Sequence, residues 1–439
     1  MRKLFALIGW RLLRPSRGSD PRLPVFQATL LGPSFVLGVV GIAVLPVAEY
    51  AAWALLFAIG STAIALDGGA SQIAQIRTAE GRLGPTELRR LAVLASIAPA
   101  LSTVLVVVGW RTFVSSFLSG DSSVGPLLAI LLGVAALLRS FYSIAINVAV
   151  ALGRLSSLLR STIASAATQF SLMILLVRWP TAYCLAGIYL LGTLAGLLLL
   201  AIPLRDARQT VQHRQPPRVA ARAAVSGLGV AVAQLDRLLA GLVATPAGLA
   251  VYDFAARGAA ITGALGSSLA MGLTAEGRRS TGDDGRAPPL FLSMVSRTQK
   301  NMDRFICVLA PIALVANTIL AAVVVPGDLR RAALIGAVLA AGFGATTTTG
   351  VGATFLRGAG ILRLEFLQNA QRLLLGAALG YGLGARAGIV GFAVGIALAN
   401  VVSAFWFRRR SLRMLERLLM RGNSSTNSDR IAEGIDRRE

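Results

Sequence analysis

Apolar residues run in blocks of about 20 along most of this chain, broken by short polar stretches. That is the length a helix needs to cross roughly 30 Å of hydrocarbon. The blocks predict twelve spanning helices, at roughly 26–46, 50–68, 91–110, 126–149, 159–177, 182–203, 223–244, 249–272, 305–325, 332–356, 364–383 and 388–407. Within several blocks the polar residues recur every three or four positions. On a helix that spacing gathers them into one stripe. Span four carries Arg139, Ser143 and Asn147; span five Ser161, Ser165, Thr168 and Gln169; span eleven Glu365, Gln368, Asn369 and Arg372. Spans seven and eight add Asp236, Arg237, Asp253 and Arg257, on either side of the break Thr245-Pro246-Ala247-Gly248. Ionisable residues at membrane depth are costly and face a bundle interior or a wet cavity.

The longer polar breaks divide the chain. Residues 1–24 read as an interfacial amphipathic segment, with Leu4, Phe5, Ile8 and Leu12 on one face and basic residues on the other. Spans one to six make a first lobe, 25–204. A basic linker at 205–222, holding Pro216-Pro217, leads to a second lobe, 223–408, with spans seven to twelve. The stretch 276–304 reads as a flexible turn followed by a short amphipathic helix, and 409–439 as a basic, disordered tail. Short repeats support the division. AEYAAW (Ala48–Trp53) opens span two as AGLAVY (Ala247–Tyr252) opens span eight, and VALGRLSSLLR (Val150–Arg160) is echoed by FLRGAGILRLEF (Phe355–Phe366). The expectation is an all-α polytopic membrane protein with two pseudo-symmetric six-helix lobes and a substrate site between them.

Composition agrees: of 439 residues, 55% are hydrophobic and 14% charged, against roughly 25% charged in globular chains. The net charge of +23 does not indicate nucleic acid, because the arginines lie between apolar runs instead of on one basic face with interleaved aromatics. They favour one side: the loops at 1–22, 77–90, 154–160, 205–222 and 278–304 and the tail from Arg408 carry nearly all of them. The opposite loops hold Arg111, Arg178, Arg330, Arg331 and Arg386. Both termini are therefore expected inside. Cys184 and Cys307 lie in apolar runs and His213 in a polar loop, so neither a disulfide framework, a metal site nor a cofactor site is expected. Asp67 is expected to fix the turn after span two, and Thr346–Thr349 to bond carbonyls of their own helix.

Three stretches carry a family likeness. LDGGASQIAQIR (Leu66–Arg77) resembles the end of the second span in polysaccharide flippases, and QLDRLLAG (Gln234–Gly241) with AGLAVYDFAARG (Ala247–Gly258) is similar to their seventh and eighth spans. That family belongs to the multidrug/oligosaccharidyl-lipid/polysaccharide exporter superfamily. The likeness covers about residues 20 to 410, and the chain departs from it at Asp253, where the family has an apolar or small residue. The resemblance implies a bacterial cytoplasmic-membrane flippase with two six-helix lobes and alternating access. Its cargo is an undecaprenyl-diphosphate-linked oligosaccharide, moved from inner to outer leaflet for polysaccharide export. Its partners are that glycan lipid, membrane lipids and polysaccharide assembly proteins. A guanidinium suits a diphosphate, since it donates paired hydrogen bonds and stays charged when buried. The expected site is a cationic central cavity lined by Arg139, Asn147, Asp236, Arg237, Asp253, Arg257, Asn369 and Arg372.

Two other readings compete. A multidrug cation antiporter of the same fold needs a deep carboxylate for its cargo; span one, FQATLLGPSFVLGVVGIAVLP, has none, and the mid-membrane charge leans to Arg. A membrane-embedded glycan polymerase or transferase needs a large outer loop or a catalytic carboxylate pair, and neither stands in this chain. The chain is therefore read as a transporter and not an enzyme.

Overall fold

A computed structural model describes residues 22–67, 69–79, 81, 83–112, 124–205, 219–260, 263, 289–324, 329–358 and 361–436. Among them the regular structure is helical throughout. In lipid the backbone must satisfy its own hydrogen bonds within a segment, which a helix does and an open strand does not. The first half of the chain forms α1 (Arg22–Val44), α2 (Val47–Ala65), α3 (Ala70–Ala79), α4 (Pro85–Val108), α5 (Leu127–Ala151), α6 (Leu155–Leu172) and α7 (Ala182–Arg205). The second half forms α8 (Val219–Val243), α9 (246–260), α10 (Pro289–Val324), α11 (Leu329–Thr347), α12 (Gly350–Gly358) and α13 (Arg363–Asp436).

The twelve expected spans fall on helix, although in the eighth residues 261–262 and 264–272 lie outside the described residues. Span ten is α11 plus α12, parted at Thr348 and Thr349. There all four threonine hydroxyls of 346–349 donate to carbonyls three or four residues back. Spans eleven and twelve are the two arms of α13, which breaks at Ala387 and at Gly388, φ 61. Another left-handed glycine, Gly153 at φ 69, ends α5. Its N–H donates to Val150 O at 3.1 Å and that of Arg154 to Ala149 O at 2.9 Å, a Schellman closure that turns the chain into α6. Asp67 also does what was expected: its two carboxylate oxygens accept the N–H groups of Gly69 and Ser71 and hold the turn into α3.

Four polar segments differ from expectation or lie outside the described residues. The amphipathic N-terminal segment and most of the linker fall outside the described residues; Arg205 ends α7 and Val219 starts α8. The amphipathic stretch after 289 is not a separate short helix, because α10 runs unbroken from Pro289 into span nine. The tail from 409 is not disordered: helix continues to Asp436. Its first part, RRRSLRMLERLLMR, lacks Gly and Pro, and extending an existing helix avoids the nucleation cost of starting one.

The core is distributed unevenly along the membrane normal. At the end where the turns 45–46, 244–245 and 387–388 lie, one buried cluster joins both halves. It includes Leu37, Tyr50–Leu56, Leu128 and Leu185 from the first half and Leu249–Ala256, Leu339 and Phe392 from the second. Across it α2 packs directly on α8. At the opposite end each half has its own cores. Phe26, Tyr142 and Leu158 form one and Ile73, Leu91 and Ile144 another in the first half; Val295, Met302, Val351 and Phe407 form one in the second. Among the described residues, the one buried apolar cluster that spans both halves lies at the hairpin end. Outside, stripes such as Val93, Ile97, Leu101, Val104 and Val108 on α4 are exposed, as lipid-facing surface must be.

Candidate functional site

The α8–α9 hairpin builds the site. Its turn is two residues long, and the Thr245 hydroxyl accepts the N–H of Gly248 at 3.3 Å, capping α9 with Pro246 in its first turn. Two antiparallel helices leaving so short a turn keep equal distances from it. Asp236 stands seven residues before Val243 and Asp253 seven after Pro246, so both lie about 10 Å below the turn. Adjacent residues on a helix point apart, so Asp236 and Arg237 cannot serve each other through their side chains and each turns to α9. Tyr252 donates its hydroxyl to Asp236 at 3.0 Å. Arg237 Nε lies 2.9 Å from Asp253 Oδ1, an ion-pair contact whose angle falls short of a hydrogen bond. Its Nη1 donates to Gln234.

Asp253 is the hub. Its Oδ2 accepts Arg257 Nε at 2.6 Å and the hydroxyl of Tyr50 at 2.8 Å. Tyr50 comes from α2, in the other half. Arg257 crosses the same seam: Nη1 donates to Ser34 O of α1 at 3.3 Å, and its guanidinium lies 4.8 Å from the ring centres of both Trp53 and Phe57 on α2. Room for this side chain exists because residue 38 is glycine; a Cβ there would come within 2.9 Å of Arg257 Cδ. Asp253 has no exposed surface, and Asp236, Arg237 and Arg257 are all buried. Arg257 Nη2 and Trp53 Nε1 are buried without a hydrogen-bond acceptor.

The other expected residues stand apart from this hub by degrees. Arg372, on the first arm of α13, donates to Asn400 on the second arm. Both line a cavity of about 20 Å³ with Asp236, between α8 and α13. That is space for a water-sized group. Asn400 is buried, and its amide nitrogen has no partner. Asn369, also on α13, reaches Val225 O of α8 at 3.4 Å. Arg139 and Asn147 belong elsewhere. Arg139 is half-buried within the first half, 5.2 Å from the ring centre of Tyr142. Asn147 donates to Ser143 O of its own helix.

A single chamber shared by Arg139, Arg237, Arg257 and Arg372 is therefore not formed among the described residues. Beside the stripe on α5, Tyr142 meets Ser161 of α6 at 2.9 Å, while Arg139, Ser143 and Asn147 are half-buried. Two of the four guanidiniums share a carboxylate, a third lines the neighbouring cavity, and the fourth lies in the other lobe. Sequence reasoning missed Ser34, Gly38, Tyr50, Trp53 and Phe57. The repeat AEYAAW was the available signal, because it marked the start of α2 as the counterpart of α9. Among the described residues no three of His, Cys, Asp and Glu come together as metal ligands would.

No family model matches this chain, and no curated protein does. Solved structures do. An inward-facing multidrug resistance MATE family transporter of the MOP superfamily shares 15% identity over 90% of this chain and 96% of its own, with a TM-score of 0.67. An outward-facing MATE family transporter of the same superfamily shares 17% over 92% and 99%, with a TM-score of 0.54. A MOP superfamily transporter from Pyrococcus furiosus, whose binding pocket of reverse polarity suggests a different function, shares 16% over 92% and 99%, at 0.53. At these identities the likeness is one of fold: the chain has the two-lobed, twelve-span architecture of MATE-like transporters.

Proposed function

We propose that this protein is an alternating-access flippase that carries a lipid-linked anionic headgroup, of the undecaprenyl-diphosphate-oligosaccharide class, across a bacterial cytoplasmic membrane. The observation that carries the reading is the charge balance of the buried site. Buried Arg237 and Arg257 match Asp236 and Asp253, two cations to two anions, and half-buried Arg372 adds a third guanidinium beside Asp236 in the neighbouring cavity, at or beside the seam between the lobes. That third guanidinium, beyond those the two hub carboxylates match, suits anionic cargo. That a transporter of this fold can have a pocket of reverse polarity, as the Pyrococcus furiosus relative does, is in keeping with it.

The loop arginines favour the hairpin end as the outer one, so the core shared by both halves there reads as an outer closure, as in an inward-facing state. The higher TM-score against an inward-facing relative, 0.67 against 0.54, supports that state. The hub then acts as the outer closure. Tyr50 and Arg257 tie α1 and α2 to α9 through Asp253. An anionic headgroup arriving from the inner side competes with Asp253 for the two guanidiniums. Once Asp253 loses them, its bond to Tyr50 is the one tie left to that carboxylate, the apolar contacts of the seam have less to reinforce them, and the outer end can part. The inside-negative potential then favours outward movement of the negative group. The headgroup's own charge thus does the unlocking.

Reconstituted vesicles carrying a fluorescent polyprenyl-diphosphate glycan test this. The wild-type chain should move the lipid to the quencher-accessible leaflet, and Arg257→Ala and Arg372→Ala should not, while Arg139→Ala should. Equal movement by all four proteins, each checked for folding, removes the proposal. The fold itself also favours a second reading, the multidrug cation antiporter, since solved relatives include multidrug resistance transporters. In this chain both deep carboxylates already hold partners, so a cationic drug has to displace an arginine. Uptake of a cationic dye driven by an ion gradient, abolished in Asp253→Asn, would favour that reading instead.

A further inference from the structure

The strongest charge on the described surface lies away from the hub, on the far end of the second half, and it belongs to neither the seam nor the cavity. On α10 the exposed residues Arg297, Lys300 and Arg304 follow the i, i+3, i+7 spacing of one helix face. That face continues without a break into Val308, Ile312, Val315 and Ile319, all exposed and apolar. The second arm of α13 repeats the pattern. Exposed Leu398, Val401, Val402 and Phe405 lead into exposed Arg408, Arg409, Leu412 and Arg413. The two helices are joined here by Arg408 Nη2 and Asp303 Oδ2 at 2.7 Å, over the buried Met302, Ile306 and Phe407.

This continuity decides what the cations face. An apolar stripe exposed on a spanning helix faces acyl chains. Cations on the same stripe, one to three turns beyond its end, lie at the depth of lipid headgroups. Six cations stand there, and Asp303 is the one carboxylate among the described side chains of the ledge, already engaged by Arg408. The first half offers a contrast. At the same end, among the described residues, its Arg77 is paired with Glu87, Arg89 and Arg90 are an exposed adjacent pair, and exposed Arg160 stands apart from them on α6. The bias of loop charge toward one side accounts for the sign of the ledge. It does not account for alignment on the lipid-facing stripes of two helices clamped to each other.

We infer that the α10–α13 ledge is a docking surface for anionic phospholipid headgroups, which seat against the outer face of the second half. A soluble acidic protein fits less well, because half of the surface it would meet is the apolar band of the spans. The site is independent of the cargo reading, since it lies outside the seam. Its role is to anchor one half to the leaflet while the other rocks.

Native mass spectrometry of the full-length protein, released from mixed phosphatidylglycerol and phosphatidylcholine bilayers, tests it. The wild type should retain phosphatidylglycerol in preference to phosphatidylcholine. Changing Arg297, Arg304, Arg409 and Arg413 together to Gln should lower that preference by about tenfold or more, given the strength of headgroup attraction per basic residue. The same four positions as Lys should keep it. Changing Arg89 and Arg90 to Gln should leave it unaltered and controls for general loss of charge. Unchanged retention in the fourfold Gln variant overturns the inference. So does displacement of the retained lipid by a polyprenyl diphosphate at far lower concentration, which would make the ledge a cargo site. Binding of an acidic soluble protein with no preference for phosphatidylglycerol overturns it as well.

Discussion

The two lobes bury their polar residues in opposite ways. In the first half the stripe on α6 is neutral: Ser161 meets Tyr142, Thr162 meets Thr29 at 3.0 Å, and Gln169 leans on Ser165. These groups bond to close neighbours, and α7 presses against them with glycines. A Cβ at Gly192 would lie 2.3 Å from Gln169 Cγ, and one at Gly196 3.0 Å from the Tyr142 hydroxyl. In the second half the stripe is ionic: Asp236, Arg237, Asp253, Arg257 and Arg372 are buried together or line one cavity, and donors are left over. Small residues with hydroxyl pairs are how helices associate in lipid at low cost. Buried charges are poor at that task, because desolvation cancels much of their attraction. The first stripe therefore serves packing, and the second fits the role proposed for it at the cargo site and the seam.

Breaking the ionic stripe should have the largest effect. Asp253→Asn keeps the shape but leaves Arg237 and Arg257 buried without their shared counter-charge. Removing one partner of a buried pair costs about 3–5 kcal/mol, read as a large drop in thermal stability in detergent. Adding Arg257→Gln should recover part of the loss, since fewer charges then remain unpaired. A loss in Asp253→Asn no larger than that of a hydroxyl deletion in the first half would erase the contrast between the lobes.

Next is Tyr50→Phe. It removes the one hydrogen bond from α2 to Asp253, 2.8 Å long, and leaves the ring stacking intact. Hydrogen bonds to charged groups are worth about 1.5–3 kcal/mol. Because this one spans the two halves, the loss should appear as easier parting at the hairpin end. Distances between spin labels on the 45–46 and 244–245 turns should broaden toward longer values. An unchanged distribution with lowered stability would confine the bond to stability alone.

Gly192→Ala probes the packing lobe. Its new methyl collides with Gln169 within a close helix contact, and overpacking of this kind costs about 1–3 kcal/mol. The effect should fall on thermal stability and leave cargo movement per folded molecule unaltered. A transport defect without a stability defect would make the neutral stripe part of the mechanism.

Much of this architecture could be read before any coordinates. Twelve apolar blocks gave twelve helical spans, because in lipid a helix is the one local solution for each block. The sequence pattern also shows a break between spans seven and eight, but puts it at Thr245–Gly248 with Asp253 nearer the outer end than Asp236; the turn is 244–245, and a two-residue turn puts both carboxylates at one depth. What could not be read was which side of a helix faces which lobe. The stripe Arg139–Ser143–Asn147 has the period of a buried face, yet periodicity does not say whether the face meets its own lobe or the other. Tyr50 and Ser34 sit about 200 residues from Asp253 and Arg257, and a hydroxyl or a carbonyl in an apolar span has no sequence mark of its partner. The tail misled for a local reason: its composition is that of a disordered segment, but it starts from a formed helix.

The smallest expected effect is the sharpest measure of the contrast. Thr162→Val removes the hydroxyl shared with Thr29 and keeps the branched shape. Thr162 Oγ1 also lies 3.2 Å from Leu158 O, a bond within its own helix, and Leu158 O is already held by the helix backbone. The loss is therefore confined to one neutral hydroxyl contact between α1 and α6, and such contacts in membrane helices average about 0.6 kcal/mol. Combined with Thr29→Val the cost should grow by less than the two single changes summed, because both delete the shared bond, although Thr29 also donates to Phe26 O within its own helix. In the ionic lobe, by contrast, the paired change at Asp253 and Arg257 should cost less than Asp253→Asn alone. Non-additivity that saturates in the first half and reverses in the second, measured by the same thermal unfolding, is the pattern the two stripes predict. Saturation in both lobes would mean that the charges at the seam act as ordinary helix contacts.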